Sequence, residues 1–189
     1  MCSSLLSIEI PDSIVKIEDY SFSSCRSLAS VTMPESVLVI GKGAFDNCGL
    51  VSVALPNQLR EIHKAAFKSC RSLVSIEIPD SVTVLEEEAF ESCESLKYAV
   101  ISKSLEKIDR CVFCRCTKMS FVSVPKSVKR LGWEAFSCCP LESIELPGLA
   151  AWDLDAFRYC RSHLTIRVPA RLKHVSPGRS TSDFNIQYI

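Results

Sequence analysis

The chain is poor in the features that usually announce a function. Its charge has no excess of either sign, because 22 Lys and Arg stand against 22 Asp and Glu in 189 residues. Nucleic-acid binding rests on neutralising phosphates with a basic surface, so nucleic acid is not an expected partner. An anionic membrane surface is not one either, for the same reason. No apolar run approaches the roughly 18 residues that a membrane-crossing helix needs, so membrane insertion is not expected. Histidine is scarce: His63, His163 and His174 are far apart and belong to no catalytic pattern. The six glycines form no phosphate-cradling loop or dinucleotide fingerprint. With no base set beside a nucleophile, the chain is not expected to be an enzyme, and no cofactor is implied. The acidic run Glu86-Glu87-Glu88 reads as a solvated turn.

Cysteine, by contrast, is abundant and periodic. Eight of the eleven fall at Cys2, Cys25, Cys48, Cys70, Cys93, Cys116, Cys139 and Cys160, with spacings of 23, 23, 22, 23, 23, 23 and 21. A period of this length means stacked copies of one supersecondary unit. Apolar positions recur in phase with it. A leucine or methionine follows each cysteine closely (Leu28, Leu50, Leu73, Leu96, Met119, Leu141). Then comes an alternating pair such as Val31/Met33, Ile76/Ile78 or Val122/Val124. Alternation over so few residues predicts a short half-buried strand. Proline closes nearly every pair (Pro11, Pro34, Pro56, Pro79, Pro125, Pro147, Pro169), since it lacks the N–H a continuing strand would need. Ser102 stands in its place in the fifth unit. An aliphatic pair three residues apart predicts a second extended segment. After it comes a tight helical turn ending in Phe22, Phe45, Phe67, Phe90, Phe113, Phe136 and Phe157, most preceded by alanine.

No unit can enclose its own apolar side, but stacked units bury it against one another. The predicted fold is a solenoid, mostly β with short helical turns. Its parallel strands stack in about seven to eight coils of 21–23 residues, over residues 1–175. The pattern Leu-x-x-Ile-x-Ile-Pro-x-Ser-Val, then Ala-Phe and Cys, resembles the BspA-type (Treponema-type) leucine-rich repeat over about residues 2–175. That resemblance implies a curved leucine-rich-repeat solenoid with parallel strands lining one face. It also implies roles in adhesion or protein binding, some of them at the cell surface.

The ends are less regular. Met1 to Leu6 lacks the charged and apolar regions of a secretory leader, so a complete chain would be cytoplasmic. Nothing caps the first leucine, however, which favours a piece of a longer product. An uncapped first coil is expected to expose Ile8, Ile10, Ile17 and Phe22 and to offer a surface for self-association. After Val175 the cluster Ser176-Pro177-Gly178 ends the repeat. Residues 176–189 then either cover the last coil through Phe184, Ile186, Tyr188 and Ile189 or remain disordered.

The ladder cysteines read as buried spacers, since free cysteine is among the most buried side chains. Disulfides between stacked equivalents are not expected, because parallel side chains hold their Cβ atoms too far apart. Cys111, Cys114 and Cys138 lie outside the ladder. Phe113 points inward, which should direct Cys111 and Cys114 to surface turns, so a four-ligand metal centre is not expected. A thiol-based metal or redox protein centred on Cys111 and Cys114 is the alternative to a binding scaffold.

Binding is expected on the face of the first strands. The residues flanking each inward aliphatic are mostly small and polar: Ser7/Glu9, Ser30/Thr32, Ser52/Ala54, Ser75/Glu77, Ser143/Glu145 and Thr165/Arg167. The fifth and sixth coils depart from this with Tyr98/Val100 and Phe121/Ser123. Aromatic residues dominate binding hot spots, so these four are the candidate contacts for a protein ligand.

Overall fold

The computed structural model describes residues 4–151, 154–161, 163–174 and 184–189. Cys2 and the Ser176-Pro177-Gly178 cluster lie outside the described residues. Two columns of short parallel strands carry the fold. The first strands are β1 (Ser7–Glu9), β3 (Ser30–Thr32), β6 (Ser75–Glu77), β8 (Tyr98–Val100), β10 (Phe121–Ser123), β12 (Ser143–Glu145), β13 (Thr165–Val168) and β14 (Asn185–Tyr188). The second strands are β2 (Lys16–Ile17), β4 (Val39–Ile40), β5 (Glu61–Ile62), β7 (Val84–Leu85), β9 (Lys107–Ile108) and β11 (Arg130–Leu131). In β3, β8, β10 and β12 the middle residue is buried and both neighbours are exposed, as the alternation requires.

The tight turn expected around each Ala-Phe is present in every coil. Among the described residues it closes as a 3-10 helix only at Leu154–Phe157; a second 3-10 turn, Ala170–Leu172, follows Pro169. Elsewhere two left-handed residues bracket the phenylalanine. One lies two positions before it (Tyr20, Gly43, Ala65, Glu88, Cys111, Glu134) and one two positions after it, with φ between 54° and 62°. These residues aim the phenylalanine N–H at the next coil rather than along a helix. Thus Phe45 donates to the Ala66 carbonyl at 2.8 Å and Phe90 to that of Val112 at 2.9 Å.

The phenylalanines stack into one column through the core. Neighbouring ring centroids from Phe22 to Phe157 are 5.3–5.7 Å apart and the planes lie within 10° of parallel. Phe184 closes the column edge-on against Phe157 at 6.4 Å. β14 pairs in parallel with β13, so the described end of the tail adds a rung to the sheet. At the other end, Ile10 and Ile17 are buried rather than exposed, and Ile8 and Phe22 are half-buried. One coil is enough to cover them: β1 pairs with β3, and Ile10 donates to Thr32 at 2.9 Å.

The ladder cysteines do more than fill space. Each phenylalanine carbonyl accepts the N–H of the cysteine three residues on, as from Cys48 to Phe45 at 3.3 Å. From Phe22 to Phe136 the second lone pair takes the thiol of the following coil's cysteine. Cys48 donates to Phe22 (2.9 Å), Cys70 to Phe45 (3.1 Å), Cys93 to Phe67 (3.2 Å), Cys116 to Phe90 (3.4 Å), Cys139 to Phe113 (3.1 Å) and Cys160 to Phe136 (3.1 Å). Cysteine is thus a small apolar side chain that also supplies a weak donor where a carbonyl would otherwise be only half-satisfied. Burial pushes the thiols of Cys48 and Cys160 up to about 12, and those of Cys70, Cys93 and Cys116 far above their ordinary value. The ten described cysteines are free thiols.

The first column is interrupted between β3 and β6 and between β10 and β12, and the second between β7 and β9. The third coil is one residue short at Cys48-Gly49-Leu50, and residues 52–55 form no strand, which separates β3 from β6. A groove of about 750 Å³ lies at the gap between β7 and β9, lined by charges of both signs that include Lys64, Glu86, Lys107, Asp109 and Arg130.

Candidate binding face

β8 and β10 lie side by side in register, with Phe121 opposite Tyr98, Val122 opposite Ala99 and Ser123 opposite Val100. Ala99 and Val122 turn into the core. The pleat therefore forces Tyr98, Val100, Phe121 and Ser123 outward as one block. Phe121 is 57% exposed, Tyr98 41% and Val100 38%, although side chains of this size usually find cover. The flanking rungs, β6 and β12, carry serine in the column of the two aromatics.

Two shallow grooves adjoin the block on the same face. One of about 210 Å³ runs from Phe121 and Ser123 past Ser143 to Glu145 and Arg167, which pair at 2.9 Å. The other, about 490 Å³, runs from Val100 past Glu77 and Ser75 to Ser52 and Ala54. The face thus offers an apolar centre between polar rims. Sequence reasoning missed Val51 and Val74. They precede the strand position in the third and fourth coils, are exposed, and join coil to coil through a 3.1 Å bond from the Val74 N–H to the Val51 carbonyl. Counting only the residues that flank the inward aliphatic passed over that neighbouring column.

The fifth coil replaces the strand-closing proline with a side-chain arrangement. Ser102 is fully buried; its hydroxyl donates to the Val82 carbonyl at 2.8 Å and accepts the Ser104 N–H at 3.1 Å. Lys103 donates its N–H to Asp80 at 3.0 Å and its ammonium to the other carboxylate oxygen at 2.9 Å. These bonds, the backbone one first, hold the Asp80 carboxyl below its ordinary value.

The turn side departs from expectation twice. Glu86-Glu87-Glu88 is not a freely solvated run, because the equivalent turn of the third coil brings lysines beside it. Glu86 accepts the Lys64 N–H at 2.7 Å, Lys64 pairs with Glu87 at 3.0 Å, and Lys68 pairs with Glu88 at 2.8 Å and Glu91 at 2.9 Å. The hydrogen bond from Lys68 leads in holding Glu88 below the ordinary carboxylate range. Partial burial opposes the charge of Lys68, but its bonds to Glu88 and Glu91 outweigh that and raise it to about 12.

Cys111 and Cys114 are the second departure. They are buried, 6% and 5% exposed, rather than presented on surface turns. Phe113 does fill the inward direction, but the turn of the sixth coil stacks over the fifth: Cys111 donates its N–H to the Trp133 carbonyl at 3.0 Å. The Sγ atoms of Cys111 and Cys114 and a carboxylate oxygen of Glu134 lie within 4.8 Å of one another. Burial pushes the Cys114 thiol up to about 12. It raises Cys111 as well, against the pull of the Arg110 side chain. Cys138 is half-buried. Of the histidines, His63 pairs with Glu61 at 2.8 Å.

With this geometry in hand, comparison with known families decides the lineage. The BspA type leucine rich repeat region matches in six copies, over residues 1–119, 38–165 and 84–187. The chain belongs to that family. Among solved structures, a leucine rich cell surface protein from Faecalibacterium prausnitzii is 38% identical, with a TM-score of 0.59, over 62% of this chain and 31% of its own. The T. pallidum leucine rich repeat protein is 22% identical, with a TM-score of 0.65, over 71% of this chain and 77% of its own. A leucine-rich repeat protein from Bacteroides ovatus is 24% identical, with a TM-score of 0.61, over 99% of this chain and 52% of its own. The last two likenesses concern the fold alone. The chain spans about a third and a half, respectively, of the Faecalibacterium and Bacteroides proteins. No curated protein sequence matches. Among the described residues of this BspA-type chain, no helix is long and apolar enough to cross a membrane.

Proposed function

We propose that this chain is a non-catalytic protein-binding scaffold whose strand-lined face takes a protein ligand at Tyr98, Val100, Phe121 and Ser123. The observation that carries this reading is the register of β8 and β10, which sets two exposed aromatics side by side where neighbouring coils carry serine. Large exposed apolar groups on a rigid strand surface lose little entropy on binding and supply most of the energy of an interface. Replacing both Tyr98 and Phe121 with serine should restore the ordinary face and leave the fold intact, because neither side chain enters the core. Affinity for the partner should fall by roughly 100-fold, as expected when two aromatic anchors are removed. Pull-downs with wild type and the double variant as bait check this. Equal recovery of the partner, with unchanged circular dichroism, would contradict it.

A second reading places the scaffold within a cell-surface adhesin. The 38%-identical Faecalibacterium relative, described as a cell surface protein, favours it. Biotinylation of intact cells expressing the native gene product labels it on this reading and leaves it unlabelled otherwise.

A further inference from the structure

Two columns on the turn side have a chemistry that changes from coil to coil. The residue two before the phenylalanine and the residue one after it are joined by a tight turn, as in the bond from the Cys114 N–H to the Cys111 carbonyl at 3.2 Å. The turn brings the two side chains to the same side. In the fourth coil these positions hold Glu88 and Glu91, and Lys68 from the coil below satisfies both. In the fifth coil they hold Cys111 and Cys114. The coil above then contributes Glu134, and two arginines border the cluster: the Arg110 side chain acts on the Cys111 thiol, and Arg158 pairs with Glu134. Arg110 stacks on Trp133 at 5.3 Å and Arg158 at 5.7 Å, and Arg158 reaches Glu134 at 3.8 Å.

We propose that Cys111, Cys114 and Glu134 form a binding site for a thiophilic divalent cation of the zinc class, linking the fifth coil to the sixth. The ligand atoms already lie within 4.8 Å of one another, with both cysteines largely buried and the Glu134 side chain partly open to the solvent that supplies the fourth ligand. Two sulfurs and one carboxylate oxygen match the soft-to-borderline preference of zinc, with water as the fourth tetrahedral ligand. Calcium and magnesium demand several oxygen ligands, and this cluster offers one carboxylate. Each thiol releases its proton to solvent as its metal–sulfur bond forms. Two thiolates, one carboxylate and a dication leave a single negative charge, which Arg110 and Arg158 are placed to offset.

Cobalt(II), a spectroscopic stand-in for zinc, tests the site on the full chain with reduced thiols. Titration should develop a sulfur-to-cobalt charge-transfer band that zinc then abolishes. Cys114→Ser should lose the band, and Glu134→Gln, which keeps the side-chain shape, should weaken cobalt binding by at least about tenfold. Glu87→Gln, on the same turn side but outside the cluster, should bind cobalt as wild type does. A readout that needs no variant is alkylation followed by mass spectrometry, in which zinc should protect Cys111 and Cys114. Absence of the band in wild type, an equal band in Cys114→Ser, or alkylation of both thiols at saturating zinc would overturn the proposal.

Discussion

Replacing Phe90 with alanine should cost about 3–5 kcal/mol of stability, the usual range for emptying a buried aromatic site. Phe90 is fully buried and stacks on Phe67 at 5.3 Å and on Phe113 at 5.6 Å. Its backbone is fixed from both sides: its N–H bonds to Val112, and its carbonyl accepts the Cys93 N–H and the Cys116 thiol. Neighbouring rings cannot slide into the cavity without breaking those bonds, so little of the loss can be recovered by collapse. In a chain of this size a loss of that order lowers the melting midpoint by roughly 10 °C. Thermal unfolding by circular dichroism measures it. Phe22→Ala, at a half-buried ring with one stacked neighbour, should cost less. Equal losses at the two positions would contradict a continuous core.

Gly49→Ala should be nearly as damaging, by about 3 kcal/mol, as overpacking that the backbone must absorb. Here the third coil takes a one-residue shortcut from cysteine to leucine, and the chain is drawn tightly over the second coil. A Cβ at position 49 would lie 2.2 Å from the Arg26 carbonyl oxygen. That atom belongs to backbone, not to the tip of a flexible side chain, so the clash is relieved only by moving a coil. The same denaturation assay reads the effect. A variant as stable as wild type would show that the third coil shifts freely.

The repeat made most of the fold legible in the sequence. Position in a coil decides what Leu28, Ile76, Phe90 and Cys93 do, and each can be read by comparison with its equivalents. Tyr98, Val100 and Phe121 were visible in the same way, as departures from a serine face. What escaped depends on contact between coils. The burial of Cys111 and Cys114 comes from the backbone at Trp133, and the pairing of Glu88 comes from Lys68, twenty residues earlier. Hydropathy along one coil carries no trace of either. The hydrogen bonds made by the ladder thiols were hidden for a related reason: cysteine occupies an apolar position, and only the carbonyl facing it shows that a donor is needed there. The left-handed turns were hidden as well, because among the described residues glycine, which usually marks them, takes that conformation only at Gly43.

The central claim is that a protein ligand is taken on the strand-lined face and not on the turns. The most direct measurement is site-specific crosslinking with a photoreactive phenylalanine analogue. It would be placed in turn at Tyr98 and Phe121 on the strand face and at Tyr20 and Tyr159, which are exposed on the turn side. The account predicts adducts with the same partner from positions 98 and 121 and none from 20 or 159. Adducts from the turn positions alone would contradict it.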